Sequence, residues 1–252
     1  MSRAVVLSDI QAPLHDGKLI DSITKFLGDY QPDALYCVGD EADLTEVSRW
    51  VKGGPDEYTG KLQAGLDATA QIMADLRDAV GDVPIVVQRS NHTDRLANYV
   101  RRYAPALECL RGLDYASLLR YRDLNITVSD RPTAVAPGWI MLHGDEAGSN
   151  QTAGGTALGL ARRTGRSVVC GHTHKLGLQH DHAAHSGRVI RGLWGMEVGH
   201  MMNLGKASYL PLGGANWQQG FGLLHIDGAR VIPTPVPVIG RAFTVEGEVY
   251  SW

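Results

Sequence analysis

Short apolar runs along this chain end, one after another, in a polar cluster. Ala4-Val5-Val6-Leu7 leads into Ser8-Asp9, Ala34-Leu35-Tyr36-Cys37-Val38 into Gly39-Asp40, and Ile85-Val86-Val87 toward Ser90-Asn91-His92. Trp139-Ile140-Met141-Leu142 meets His143-Gly144-Asp145, and Ser167-Val168-Val169-Cys170 meets Gly171-His172-Thr173-His174. Continuous apolar runs of this length suit strands buried on both faces, and polar residues just past strand C-termini mark the binding edge of an α/β sheet. Between these strands the spacing predicts helices over 17–27, 61–79, 94–103, 105–119 and 154–163. In the second of them Leu62, Leu66, Ile72, Met73 and Leu76 form the stripe of a packing helix. After His174 come shorter strand candidates, Val189-Ile190, Phe221-Gly222-Leu223-Leu224, Val231-Ile232 and Ala242-Phe243-Thr244-Val245. Their Gly and Pro punctuation predicts a second sheet packed on the first. No repeat or linker interrupts the pattern, so one α/β domain is expected over residues 1–252.

Composition narrows the class. With 252 residues, 44% of them hydrophobic and 20% charged, the chain can bury a full core, which excludes a disordered or fibrous protein. A formal net charge of −3 leaves no chain-wide basic footprint, so any contact with nucleic acid has to be local. Cys37, Cys109 and Cys170 are odd in number and far apart, and two of them lie inside apolar strand candidates, which suits buried thiols in a reducing compartment. The opening MSRAVVLSDIQ lacks a signal-peptide core and no run of about 18 apolar residues occurs, so the expectation is a soluble, cytoplasmic protein without a membrane partner. The sequence carries no reading of the oligomeric state.

Six of the ten histidines fall between His143 and His185, and three of these six follow predicted strands. Divalent metals that handle phosphate take hard oxygen ligands with some imidazole, and a pair of ions needs a carboxylate able to bridge them. Asp9 and Asp40 are the carboxylates at the strand ends, Asn91 offers an amide oxygen, and His143, His172 and His174 offer ring nitrogens. In Gly-His-Thr-His the two imidazoles are two residues apart, so an extended backbone projects them to one side. Each piece alone reads as well as a turn or a satisfied polar pair. Five of them in one order at strand ends do not arise from turn chemistry.

The order Asp-x-Gln (Asp9, Gln11), Gly-Asp-x-x-Asp (Gly39, Asp40, Asp43), Asn-His (Asn91, His92), His143 and Gly-His-Thr-His (Gly171 to His174) resembles the calcineurin-like metallophosphoesterases. The resemblance spans the first 174 residues and implies a four-layer α-β-β-α sandwich with flanking helices and its site at the strand C-termini. It also implies two divalent ions, one held by Asp9, Gln11, Asp40 and His174 and the other by Asp40, Asn91, His143 and His172, with Asp40 as the bridge. Attack would come from a hydroxide between the metals. His92 is then the group that protonates or stabilises the leaving oxygen, and Asp43 the acid that orients it. The segment Asn216-Trp217-Gln218-Gln219-Gly220-Phe221 looks similar to a subgroup common in bacteriophage genomes, which would place the protein in a host cytoplasm.

Two positions depart from that pattern. Gln11 stands where the family has His, and the Asn-His pair reads Ser90-Asn91-His92-Thr93, without the flanking Gly and acid. An amide oxygen is a harder, weaker donor than imidazole, so Mn²⁺ is favoured, with Mg²⁺, Fe²⁺ and Zn²⁺ as alternatives. His15 is a candidate substitute ligand, a substrate contact or a packing residue, and Asp94 a candidate for the missing acid. His180-Asp181-His182-Ala183-Ala184-His185 reads as a solvated hairpin tip or a further metal cluster, and Glu197 and His200 are left unplaced. Residues 41–60 form a polar excursion that is either a substrate-shaping loop or ordinary surface. Arg95, Arg101, Arg102, Arg111, Arg120 and Arg122 read as a solvated face paired with Asp94, Glu108, Asp114 and Asp123, or as a guide for a phosphate-rich substrate.

The leading expectation is a phosphodiesterase acting on nucleotides, cyclic ones included, or on nucleic acid. The alternatives are a phosphomonoesterase or protein phosphatase, and a non-catalytic, metal-stabilised binding module.

Overall fold

The computed structural model describes residues 1–207 and 215–252. The first sheet is built from β1 (Ser2–Leu7), β2 (Ala34–Cys37), β3 (Ile85–Gln88) and β4 (Ile126–Ser129), all parallel neighbours. The second contains β5 (Thr133–Ala136), β6 (Trp139–Met141), β7 (Ser167–Cys170), β8 (Leu176–His185) and β9 (Arg188–Val198), in the order β5-β6-β7-β9-β8. β10 (Gly220–Asp227) and β11 (Arg230–Pro237) complete the first sheet, whose order is β11-β10-β1-β2-β3-β4, and β12 (Ala242–Val245) and β13 (Glu248–Ser251) form a separate hairpin. The helices are α1 (Gly17–Tyr30), α2 (Leu62–Val80), α3 (Asp94–Tyr103), the single-turn α4 (Tyr115–Leu118) and α5 (Gly155–Thr164).

Strand periodicity sorts the side chains into layers. Ala4 and Val6 of β1 join Trp139, Met141, Val169, Met196, Val198 and Leu224 in the layer between the sheets. Val5 and Leu7, one residue out of phase, face α1 and α2 with Leu19, Ile23, Phe26, Met73 and Leu76. On the outer face of the second sheet, Ile140, Val168 and Cys170 pack on Ala157, Leu158 and Ala161 of α5. The result is the expected α-β-β-α stack. α5 comes so close to β9 that a Cβ at position 195 would collide with the Leu158 backbone, and Gly195 supplies the room. Phe26 ties α1 to both β-regions, with ring centroids 5.4 Å from Phe221, 5.6 Å from Phe243 and 5.3 Å from Tyr250.

Two sequence expectations are corrected. The span 105–119 is not one helix. It is two 3₁₀ turns, Pro105–Leu107 and Arg111–Leu113, followed by α4, because Gly112 weakens the middle and the Asp114 carboxylate caps a new start at Ser117 N–H. The strand candidates after His174 do not together make the second sheet. β10 pairs antiparallel with β1, Val5 opposite Leu223, and extends the first sheet instead. Cys37 and Cys170 are buried and Cys109 is exposed. No helix among the described residues is long and apolar enough to cross a membrane.

Candidate metal centre

Five strand C-termini deliver the polar residues to one edge shared by the two sheets. Asp9 and Gln11 follow β1, Asp40 follows β2, Asn91 and His92 follow β3, His143 follows β6, and His172 and His174 follow β7. Five of these turn through the left-handed region, with φ of 51° at Asp9, 50° at Gln11, 58° at Asp40, 65° at His172 and 57° at His174. A side chain there costs about 1 kcal/mol or more, and such residues concentrate where a site requires them. The loops hold one another in place: Gln11 N–H donates to Asp40 O at 2.8 Å, Asp9 N–H to Gly39 O at 3.1 Å, and Gly171 N–H to His143 O at 2.9 Å. Gly171 leaves space for the backbone to pass Ser8 and Asp9, and His172 N–H then donates to Asp9 Oδ2 at 2.9 Å.

Three donor atoms converge on His143 Nε2. Asn91 Oδ1 lies 2.9 Å from it, His172 Nδ1 3.2 Å and Asp40 Oδ1 3.4 Å. Atoms bound at about 2.1 Å to one tetrahedral or octahedral ion are about 3.0 to 3.4 Å apart, so the spacing fits a common cation. The ligand atoms of Asp40, His143 and His172 all lie within 4.8 Å of one another, a group able to hold a divalent metal ion. His143 is oriented by its other nitrogen, Nδ1, which donates to Val38 O at 2.7 Å. Beside this set, His174 Nε2 is 3.0 Å from Asp9 Oδ1 and 3.0 Å from Gln11 Nε2. Asp9 Oδ1 is thus buried against His174 Nε2 at the spacing of two ligands of one cation.

The charges in this pocket perturb one another. Burial opposes ionisation of Asp40, yet His143 and His92 hold its carboxyl well below the usual range. Burial likewise opposes the His143 cation, and Asp40 overrides it, raising the imidazole to about 10. Asp9 is lowered by His174 against the same desolvation. His172 is depressed by burial and then by the His143 charge. Behind Asp40, burial pushes Glu41 up to about 8, and Tyr115 O–H donates to it at 3.1 Å.

His92 lies against the same pocket, its Nε2 3.6 Å from Asp40 Oδ2 and its Nδ1 3.6 Å from Asp43 Oδ1. Arg95 meets both: its Nη2 is 2.6 Å from His92 Nε2, and its Nη1 donates to the Asp43 carbonyl. A guanidinium has only donors, so His92 Nε2 accepts and the ring proton sits on Nδ1, facing Asp43. Burial, followed by Arg95, keeps the His92 cation disfavoured even though Asp40 pulls the other way. Arg95 is therefore not part of a solvated helix face, a correction to the sequence reading. Its signal was the i, i+3 spacing from His92 across the start of α3. Two partners of the expected face are present elsewhere, Arg101 with Glu108 at 3.0 Å and Arg120 with Asp123 at 3.8 Å.

Other residues resolve as follows. Asp94 turns away from His92 to pair with Arg89, so it does not replace the missing acid. His15 faces Lys206, Asp16 and Asp21, apart from the donors. His180 and His182 lie 4.9 and 6.1 Å from the Trp194 ring in the β8–β9 hairpin, and Asp181 pairs with Arg162 at 2.8 Å. Glu197 is a buried strut: it accepts from Thr173 Oγ1 at 2.8 Å and from Gly154 N–H, joining the Gly-His-Thr-His turn to α5. His200 is buried 5.4 Å from the His174 ring, accepts Met202 N–H on Nδ1 at 3.0 Å and is depressed by burial to about 3, so it stays neutral. Trp217 covers His174 edge-on at 4.1 Å. The excursion 41–60 shapes the pocket: a cavity of about 350 Å³ above the donors is bounded by Gln11, His92, His172 and Trp217 together with Thr45 and Trp50 from that loop.

Fold and donor set together define a metallophosphoesterase-like α/β protein with a group of side chains able to hold a divalent metal. Vps29 of Chaetomium thermophilum has the same fold, with a TM-score of 0.50 at 12% identity over 100% of this chain and 99% of that one. The chain belongs to the Gene 54 protein family of mycobacteriophages. It is 40% identical to the Gene 54 protein of Mycobacterium phage D29 over 253 residues, 99% of this chain and 98% of the relative. With the Gene 54 protein of Mycobacterium phage L5 the identity is 36% over 252 residues, again 99% and 98%. No protein-family model matches the chain.

Proposed function

We propose that this protein is a metal-dependent phosphodiesterase acting on nucleotides or nucleic acid. The observation that carries the reading is the convergence of Asp40, Asn91 and His172 on His143 Nε2 at ligand spacing, beside a cavity that His92 and Arg95 also face. Asp40, Asn91, His143 and His172 would hold one divalent cation, and Asp9, Gln11, Asp40 and His174 a second, with Asp40 common to both. Cations bound there would supply neutralisation of phosphoryl oxygens and acidification of a water, so that no protein nucleophile would be needed. The mixture of carboxylates, amides and imidazoles suits Mn²⁺.

The chain's own part is orientation and proton handling. Val38 O fixes the His143 ring, the Gly171 and His172 backbone fixes Asp9, and Glu197 fixes Thr173 between the two histidines. Arg95 presents a permanent positive charge at the cavity, where it offsets charge developing on the phosphoryl oxygens. His92, held between Asp40, Asp43 and Arg95, supplies the group that protonates the leaving oxygen once substrate displaces Arg95 from Nε2 and the freed nitrogen takes up a proton from solvent, the imidazolium being held by Asp40 and Asp43.

The test is one panel with Mn²⁺, Mg²⁺, Fe²⁺, Zn²⁺ or chelator, on aryl phosphate monoesters and diesters, 2′,3′- and 3′,5′-cyclic nucleotides, and single-stranded DNA and RNA. Chelator-sensitive turnover of diesters over monoesters is expected. Turnover of none of them would replace the enzyme reading with a metal-stabilised binding module.

A further inference from the structure

A second cavity, of about 500 Å³, opens on the Asn91 and Arg95 side of the centre and shares Ser48, Trp50 and Arg95 with the cavity above the donors. Its walls are the loop after β2 and the outer face of α3, which meet across the Lys52 to Tyr99 contact. Their chemistry is unlike the rest of the surface. Aromatic rings alternate with cations: the Arg49 guanidinium lies 4.4 Å from the Trp50 ring, Lys52 4.1 Å from the Tyr103 ring, and Arg102 5.3 Å from the same ring.

Three features make this a binding surface and not a packed one. Trp50 is 77% exposed, and Tyr103 is 42% exposed, a large apolar area left in water beside a cavity. Among the described residues, neither Arg49 nor Arg102 pairs with a carboxylate, whereas Arg101, Arg120 and Arg162 do. The chain as a whole carries −3, so the positive charge here is local. Two acids border the cavity, and neither neutralises these arginines: Asp94 is taken by Arg89, and the exposed Asp145 makes no ion pair with them.

Exposed rings beside Arg49 and Arg102, neither paired with a carboxylate among the described residues, suit a ligand that alternates flat bases with phosphates. Arg95, Arg102 and Arg49 offer separate positions for anions around two rings, more than the single phosphate of a mononucleotide uses. A duplex hides the faces of its bases and cannot stack on Trp50. We propose that this cavity binds successive nucleotides of a single-stranded nucleic acid, beside the phosphodiester at the metal centre. The inference rests on the phosphodiesterase reading for the position of the scissile bond, and on the cavity alone for the strand.

Binding is measured on the full chain in chelator, where no hydrolysis occurs, by the anisotropy of a fluorescent oligothymidylate. Trp50→Ala and Arg102→Gln are both exposed substitutions, and each is expected to weaken binding by about tenfold, the loss of one stacked base or one phosphate contact. Arg102→Gln should also lower the logarithmic salt slope by about 0.7. The proposal is overturned if the wild-type protein does not bind the strand or if both variants bind as tightly as wild type. Equal affinity for thymidine monophosphate, or equal competition by duplex, overturns it as well. An inactive metal panel would remove the phosphodiesterase reading and leave this result standing, and in Arg102→Gln, which lies outside the cavity above the donors, loss of strand binding would leave turnover of aryl diesters intact.

Discussion

His92 and Asp40 lie within 3.6 Å of each other, yet substitutions at the two are expected to fail differently. In the proposed two-ion arrangement Asp40 belongs to both donor sets, so Asp40→Ala should abolish bound Mn²⁺, read by elemental analysis of the purified protein. His92→Ala should keep the metal and lose about 10²- to 10⁴-fold in turnover of an aryl diester, the usual contribution of a positioned acid. Equal loss of metal in both would make His92 a ligand. Gln11 is the third informative residue, since its amide touches His174 Nε2 at 3.0 Å. Gln11→His should tighten the ion on the Asp9 side and shift preference toward Zn²⁺, and unchanged affinity and preference in a metal titration would remove position 11 from the ligands.

At the scale of elements, the Gly-His-Thr-His turn depends on a strand it does not belong to. Glu197 of β9 accepts from Thr173 and from Gly154 N–H, so Glu197→Ala should cost about 1–3 kcal/mol in urea unfolding, because two buried donors lose their partner. Phe26→Ala should cost about 3–5 kcal/mol, as α1 loses its contact with β10 and the β12–β13 hairpin. The loop after β2 is pinned to α3 by Glu57, whose carboxylate accepts from Lys52, from Tyr99 O–H at 2.6 Å and from Gly53 N–H at 2.7 Å. These bonds, that of Lys52 foremost, lower Glu57 from 4.5 to about 2. The pin is therefore complete above the ordinary carboxyl range and is lost as pH falls through about 2. Glu57→Gln should show at neutral pH the protease sensitivity of this loop that the wild type acquires only in strong acid.

Over the whole molecule, the proposed ion binding would be linked to folding, because the donor set exists only when β1, β2, β3, β6 and β7 are assembled. A cation present at about 100 times its dissociation constant adds about 2.7 kcal/mol to unfolding, so chelator should lower Tm by several degrees in calorimetry. The Asp40→Ala protein should show no such shift. The linkage follows from topology: the donors of one cluster come from loops 40, 91, 143 and 172, brought together by two sheets that share an edge.

The sequence by itself determined the strands and their polar ends, because buried strands need continuous apolar runs and a binding edge needs polar residues at their C-termini. Asp9, Asp40, Asn91, His143, His172 and His174 were legible as strand-end groups for that reason, whereas the α-β-β-α class followed from the resemblance of their order to a known family. Tertiary structure alone decided which strands pair, since an apolar run such as Phe221 to Leu224 suits either sheet until its register against β1 is set. It also decided the inward turn of Arg95, the contact of Trp217 with His174 and the strut at Glu197. Those depend on the rotation of a helix and on contacts between segments distant in the chain, which local periodicity does not encode.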